Sequence, residues 1–221
     1  MSVFGFIDWS AGRHPGWPTR LGPLRVAAGQ IALRPVRLRD GSAWSRFRLR
    51  DEAYLRPWEP EAEGSWAERS TTMAWPVLCS GQRATARHGQ ALPFAITLDG
   101  RLVGQITLGN VVRGSLRSAW VGYWVESTAA GGGIATGAVA LAVDHAFGPV
   151  RLHRIEATVR PENVASLRVL AKLGFREEGL LRRYLEVDGA WRDHYLLAVT
   201  VDEVGAGMVS RLVRAGHVRH S

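Results

Sequence analysis

The chain has 221 residues, 46% of them hydrophobic and 22% charged, and carries a net charge of +8. That is enough for one full-sized core and too little for two, and no window holds the ~18 uninterrupted apolar residues of a membrane span. The lone cysteine, Cys79, excludes an intrachain disulfide and fits a reducing cytoplasm, and the first residues lack the basic and apolar regions of an export signal.

Of the 28 basic residues only Lys172 is a lysine. A basic surface attracts acidic partners over long range, yet no run of five basic residues and no aromatic-basic ladder points to direct reading of nucleic acid. Residues 1–29 are rich in Gly, Pro and Trp without periodicity, and read as an irregular arm packed on the body through Phe4, Phe6, Trp9 and Trp17. The body is expected over 30–205 and a C-terminal tail over 206–221, with a closing helix that frays read from Asp202 to Ser221. Residues 31–37 read as a first strand, placed at an edge because Pro35 cannot donate to a ladder. Asp40 stands where it can cap a helix running to about Glu52. After the aromatic turn Tyr54-Leu55-Arg56-Pro57-Trp58, a second helical region spans 65–88, interrupted near Pro76. Strands over 93–98 and 102–112 meet across Asp99-Gly100, a favoured two-residue hairpin turn.

Residues 118–136 (SAWVGYWVESTAAGGGIAT) carry the strongest signal. Trp120, Gly122, Trp124 and Glu126 alternate with Val121, Tyr123 and Val125, the period of a two-faced strand. Gly131, Gly132 and Gly133 follow, and from Ile134 the apolar residues recur at helical spacing to about Phe147. A glycine loop opening a helix presents free backbone N–H groups and the positive end of the helix dipole, which suits a pyrophosphate. A Walker A loop requires a lysine that is absent here, and a dinucleotide fingerprint requires its third glycine where Thr136 stands. Further strands are expected over 153–159, 175–185 and 191–201, the last two joined by Asp188-Gly189, with a short helix from Asn163 to Gly174 between the first and second. The whole is an α/β sheet with helices on its faces.

Arg160-Pro161-Glu162-Asn163-Val164-Ala165-Ser166-Leu167, then Leu170-Ala171-Lys172-Leu173-Gly174-Phe175, together with Gly122-Tyr123-Trp124-Val125 and Gly131-Gly132-Gly133-Ile134-Ala135-Thr136, resemble the GCN5-related N-acetyltransferase superfamily. Residues 183–194 and Leu55-Arg56-Pro57-Trp58 resemble its RimJ/RimL branch, whose members acetylate protein N-termini, notably alanine on ribosomal proteins. The resemblance spans roughly residues 30–205. It implies a mixed, mostly antiparallel sheet of about seven strands with helices on both faces, acetyl-CoA held between splayed strands four and five, and no metal. Trp124, Val125, Gly131, Gly132, Gly133, Ile134, Ala135, Thr136, Asn163 and Ser166 are the implied cofactor contacts, with a backbone N–H around Val125 as the oxyanion donor.

Two positions depart from the pattern. Thr128 stands where the pyrophosphate loop carries Gln or Arg, and Leu170 where many relatives have the tyrosine that protonates the leaving thiolate. Ser166 offers a hydroxyl in its place, or else caps the helix. Glu126 is the first candidate base, ahead of Glu156 and Asp193, with a salt-bridged carboxylate as the alternative. His145 and His153 have no metal-ligand spacing and read as structural. The six carboxylates between Asp51 and Glu68, with Tyr54 and Trp58, form either an acidic rim for a cationic acceptor or a solvated helix face, with Tyr184 on the opposite wall. The acceptor is expected to be a protein N-terminus, as of a ribosomal protein. A small amine such as a polyamine or aminoglycoside, or a non-catalytic basic module associated with ribosomes or RNA, are the alternatives.

Overall fold

The computed structural model describes residues 16–220. Its strands are β1 (Leu21–Val26), β2 (Gly29–Pro35), β3 (Leu92–Leu98), β4 (Arg101–Val112), β5 (Ser118–Val125), β6 (Arg154–Val159), β7 (Arg176–Val187), β8 (Ala190–Thr200) and the two-residue β9 (Arg219–His220). They form one sheet in the order β7-β8-β6-β5-β4-β3-β2-β1-β9. Every pairing is antiparallel except that of β5 with β6. The β3–β4 and β7–β8 turns have positive φ at both central residues, 48° and 83° at Asp99-Gly100 and 50° and 71° at Asp188-Gly189, the turn whose twist matches a hairpin.

Helices cover both faces. On one lie α1 (Gly41–Arg50), α2 (Glu52–Leu55), α3 (Trp66–Arg69) and α4 (Trp75–Arg87), where Trp44, Trp75, Cys79, Ala95 and Leu102 make a small apolar cluster. On the other lie α5 (Ile134–Phe147), α6 (Val164–Leu173) and α8 (Met208–Arg214), the last preceded by the single turn α7 (Val201–Val204). Ala138, Val139, Ala140, Ala142, Val143 and Ala146 of α5 are all fully buried. A helix that is apolar nearly all round belongs in the middle of a core, and small side chains let it lie close to the strands. Leu24, Val26 and Ile31 of β1 and β2 pack against it at Gly137.

Several expectations change. The arm is not irregular throughout: residues 21–26 form β1, and Trp17 is buried against Phe94, their rings meeting edge-on at 5.4 Å. Phe4, Phe6 and Trp9 lie outside the described residues. Pairing of β1 with β2 skips from Leu21 to Leu24, so Pro23 falls in a bulge where a missing N–H breaks no ladder bond. The strand carrying Pro35 is therefore interior, and Pro35 lies beyond Leu33, the last residue β1 reaches. Pro76 does not interrupt its helix but sits in the first turn of α4, a position that tolerates the missing donor; the break is at 70–74. Asp40 holds the cap position of α1 without capping it, because its carboxylate receives Arg34 in two bonds of 2.7 and 2.8 Å. The C-terminal segment is packed, not frayed, with Met208 and Leu212 in the core and β9 extending the sheet beyond β1.

Candidate active site

The site begins where two strands part. β5 and β6 pair in parallel only at Ser118–Arg154, Ala119–Ile155 and Trp120–Glu156. Beyond them, β5 runs on to Val125 beside β4 and β6 to Val159 beside β8 without pairing to each other, and a gap opens toward the C-terminal ends of both. Glu126 N–H donates to Val103 O of β4 at 2.8 Å. Backbone directions alternate along a strand, so the Val125 N–H points the other way, into the gap. Counting β1, the expected strands four and five are β5 and β6.

The glycine loop closes the mouth of this gap. Gly131 and Gly133 have φ of 87° and 84°, a backbone state that a side chain disfavours. Gly132 is tight for another reason: a Cβ there would lie 2.4 Å from the Ala28 Cβ, and Ala28 N–H donates to Gly132 O at 3.1 Å. Helix α5 makes its first bond from Gly137 N to Gly133 O, leaving the N–H groups of Ile134, Ala135 and Thr136 without helical partners. These donors and the helix dipole suit a pyrophosphate, as read from the sequence.

Glu126 does not face the gap as a free base. It is 6% exposed, caps the turn at 127–129 by accepting from Thr128 N at 3.0 Å, accepts the Thr128 hydroxyl at 2.8 Å, and pairs with Arg50 at 2.5 Å. Beside it, buried Asp51 accepts Arg50 at 2.7 Å, the Ser127 hydroxyl at 2.7 Å and Ser127 N at 2.8 Å. The Arg50 hydrogen bond, with the Ser127 donors, holds the Asp51 carboxyl down at about 2 against the cost of burial. Thr128, which replaces the family's Gln or Arg, therefore fastens the loop to its own preceding carboxylate.

On the α6 side of the gap, Asn163 and Ser166 divide the work that sequence left between them. Asn163 Oδ1 accepts Ser166 N–H at 3.1 Å and so caps α6. The Ser166 hydroxyl is left to meet the Tyr123 hydroxyl of β5 at 2.9 Å. Burial pushes the Tyr123 phenol up to about 12, the Ser166 hydrogen bond partly opposing it, so the pair is neutral near pH 7. Leu170 is fully buried. Tyr123 had a sequence signal that went unused, since alternation puts it on the same face as Val125.

On the opposite face, Tyr54, Trp58 and Tyr184 are exposed. Loop and hairpin are tied together: Glu61 N–H donates to Glu186 O at 2.8 Å, and Arg56 pairs with Asp188 at 3.0 Å. The acidic stretch is neutralised in part: arginines that flank it in sequence take Asp51 and Glu59, and Arg56 within it takes Glu52 at 3.4 Å. Arg48 meets Glu59 at 2.9 Å, Arg69 meets Glu59 at 3.6 Å, Arg50 takes Asp51, and Glu68 caps α3 through Ser65. Glu156 is paired with Arg154 at 2.6 Å, and Asp193 accepts Arg183 N–H at 2.8 Å. His145 donates from Nε2 to Gly16 O at 2.9 Å inside the core, and His153 lies 3.9 Å from Asp202. Trp124 packs toward the small cluster under α1 and α4, away from Tyr123. Among the described residues no group of His, Cys, Asp and Glu has metal-site geometry.

The acetyltransferase (GNAT) domain family matches residues 30–176. The solved structure of Mycobacterium smegmatis RimJ in complex with CoA-disulfide is 60% identical, covers 94% of this chain and 100% of its own, and superposes with a TM-score of 0.93. The [ribosomal protein uS5]-alanine N-acetyltransferase of Escherichia coli is 29% identical over 190 residues, which is 85% of this chain and 96% of that protein. Probable N-acetyltransferase YjcK of Bacillus subtilis is 46% identical over 101 residues, 46% of this chain and 56% of that protein's length. Sequence, fold and site agree, and the chain belongs to the GNAT acetyltransferase family.

Proposed function

We propose that this protein transfers the acetyl group of acetyl-CoA to the α-amino group of a protein N-terminus, most fittingly an alanine of a ribosomal protein. The observation that carries this reading is the gap between β5 and β6, open along one edge of β5 with a glycine loop and helix start at its mouth. Gly131, Gly132, Gly133, Ile134, Ala135 and Thr136 would hold the pyrophosphate, and Trp124, Val125, Asn163 and Ser166 the arm that carries the thioester. The Val125 N–H would meet the developing oxyanion. Ser166, in contact with Tyr123, would return a proton to the thiolate. Tyr54, Trp58 and Tyr184 would receive the acceptor. The name of the Escherichia coli relative, which matches 85% of this chain, supports a ribosomal alanine.

A free α-amino group has a pKa of roughly 7.7–8.0, so a modest base suffices to free its lone pair. Pairing of Asp51, Glu52 and Glu59 with arginines leaves fewer carboxylates for a polyamine than the sequence offered. Calorimetric titration with acetyl-CoA, then thiol release with a peptide beginning in alanine beside spermidine, tests the reading. Binding followed by peptide-dependent release is expected. Release with spermidine alone would move the protein to the small-amine branch, and binding without turnover of either would favour a non-catalytic module.

A further inference from the structure

His194 is a buried histidine that the site as described so far leaves without a role. It is 4% exposed. Tyr195 of β8 pairs with Val159, the last residue of β6, so His194 lies just past the end at which β5 and β6 part. Tyr195, Leu197 and Val199 face the core beneath α5 and α6; alternation therefore puts His194 on the other face, with α1 and the 56–58 turn. The Tyr184 ring of β7 meets it edge-on at 5.8 Å. Its charged neighbours are Arg160, Glu162 and Asp193. Arg160 in turn donates to Pro57 O at 2.8 Å and lies 5.4 Å from the centre of the Trp58 ring.

The ring is held in one tautomer. His194 Nδ1 lies 3.0 Å from Arg192 O, and a carbonyl can only accept, so Nδ1 carries the proton and Nε2 the lone pair. Nε2 receives no hydrogen bond from any described residue, and it is not among the partnerless polar atoms sealed from solvent, which are Arg69 Nε and Arg192 Nε. Burial pushes the imidazole pKa down, and Arg160 adds to this, while the Arg192 carbonyl, Glu162 and Asp193 oppose it. The neutral ring with a free lone pair is the form a base requires.

We infer that His194 is the general base of the transfer, accepting at Nε2 the proton of the acceptor amine directly or through one water. This deepens the acetyl-transfer reading and rests on it. The amine nitrogen forms the N–C bond and the thioester C–S bond breaks. The ammonium first sheds one proton to His194, which passes it to solvent and frees the lone pair; after attack the nitrogen loses its second proton to solvent, and the thiolate gains one by way of the Ser166 hydroxyl. Base and acid thus stand on opposite faces of the sheet, with the gap between them.

The test uses the full chain, with an N-terminal alanine peptide and acetyl-CoA. His194→Asn keeps a donor for Arg192 O but lacks an acceptor at the Nε2 position; His194→Gln serves as a second variant should the first lower Tm. Acetyl-CoA affinity within about twofold of wild type is expected, with kcat/KM for the peptide down about 10²-fold at pH 7. The deficit should shrink above pH 9, where the amine is already neutral. An equal deficit at every pH, or a rise in peptide KM with kcat unchanged, would overturn the inference and leave His194 a wall of the pocket. Ring 15N NMR decides without any acceptor: a proton on Nε2 at pH 7 overturns it as well. Failure of wild type to turn over the peptide counts against the acceptor, and the NMR result still stands.

Discussion

Ser166 and Glu126 show how partners, not residue type, assign a role. The Asn163 side chain takes the capping duty, so Ser166→Ala should leave α6 folded, at a cost below about 1 kcal/mol, and leave acetyl-CoA affinity nearly intact while slowing turnover about 10²-fold. Single-turnover kinetics alongside calorimetry separate the two quantities, and a loss confined to affinity would make Ser166 a mere contact. Tyr123→Phe removes the 2.9 Å partner and should produce a smaller loss in the same direction. For Glu126 the expectation reverses. Its carboxylate is occupied by Arg50 and Thr128, so Glu126→Gln should weaken acetyl-CoA binding several-fold, without changing the shape of the pH–rate profile, by loosening the turn before the glycine loop. Loss of the acidic limb in that profile, where a base is protonated, would restore Glu126 as the base.

Among elements, the joint between α1 and the glycine loop carries the clearest pH dependence. Asp51 has its carboxyl lowered to about 2 in the fold and titrates near 3.9 when unfolded. A lowered folded value means that the stabilisation is fully present above the unfolded value and is lost as pH falls from about 4 towards 2. It amounts to at most about 2 kcal/mol, since Arg50 is partly solvated. Thermal denaturation of Asp51→Asn against wild type should show the difference at pH 6 and its near disappearance at pH 2. At the loop itself, Gly132→Ala sets a methyl against Ala28 and should lower acetyl-CoA affinity at least tenfold in a titration, more than Gly81→Ala, whose added methyl meets open space on helix α4. The split of β5 from β6 was expected only through the family resemblance: no residue of either strand marks it by itself, and their register shows that pairing stops after three residues.

At the scale of the molecule, both termini of the described chain close the core. Asp144 of α5 accepts Met208 N–H at 2.6 Å and Val209 N–H at 3.0 Å, which caps α8 and seats fully buried Met208 and Leu212. Met208→Ala should cost about 2–5 kcal/mol in denaturant unfolding. Removal of residues after 206 should abolish a cooperative transition, and an unchanged midpoint would mean that α8 is an appendage. Low hydropathy contrast in residues 202–221 hid this, because half of each short element is solvated and the apolar half acquires meaning only against α5.

What the sequence determined by itself were features set by near neighbours in the chain. The hairpin turns at Asp99-Gly100 and Asp188-Gly189, the span of α5, the glycine loop and the Asn163 start of α6 each follow from a few adjacent residues, and the order of these motifs indicated the family. What tertiary structure decided were pairings across long separations. Arg50 occupies Glu126, 76 residues away, Tyr123 meets Ser166 across 43, and Arg48 and Arg69 both take Glu59 out of the acidic stretch. The charge and hydrogen bonding of a side chain depend on what the fold brings within about 3 Å, and no local pattern encodes that partner.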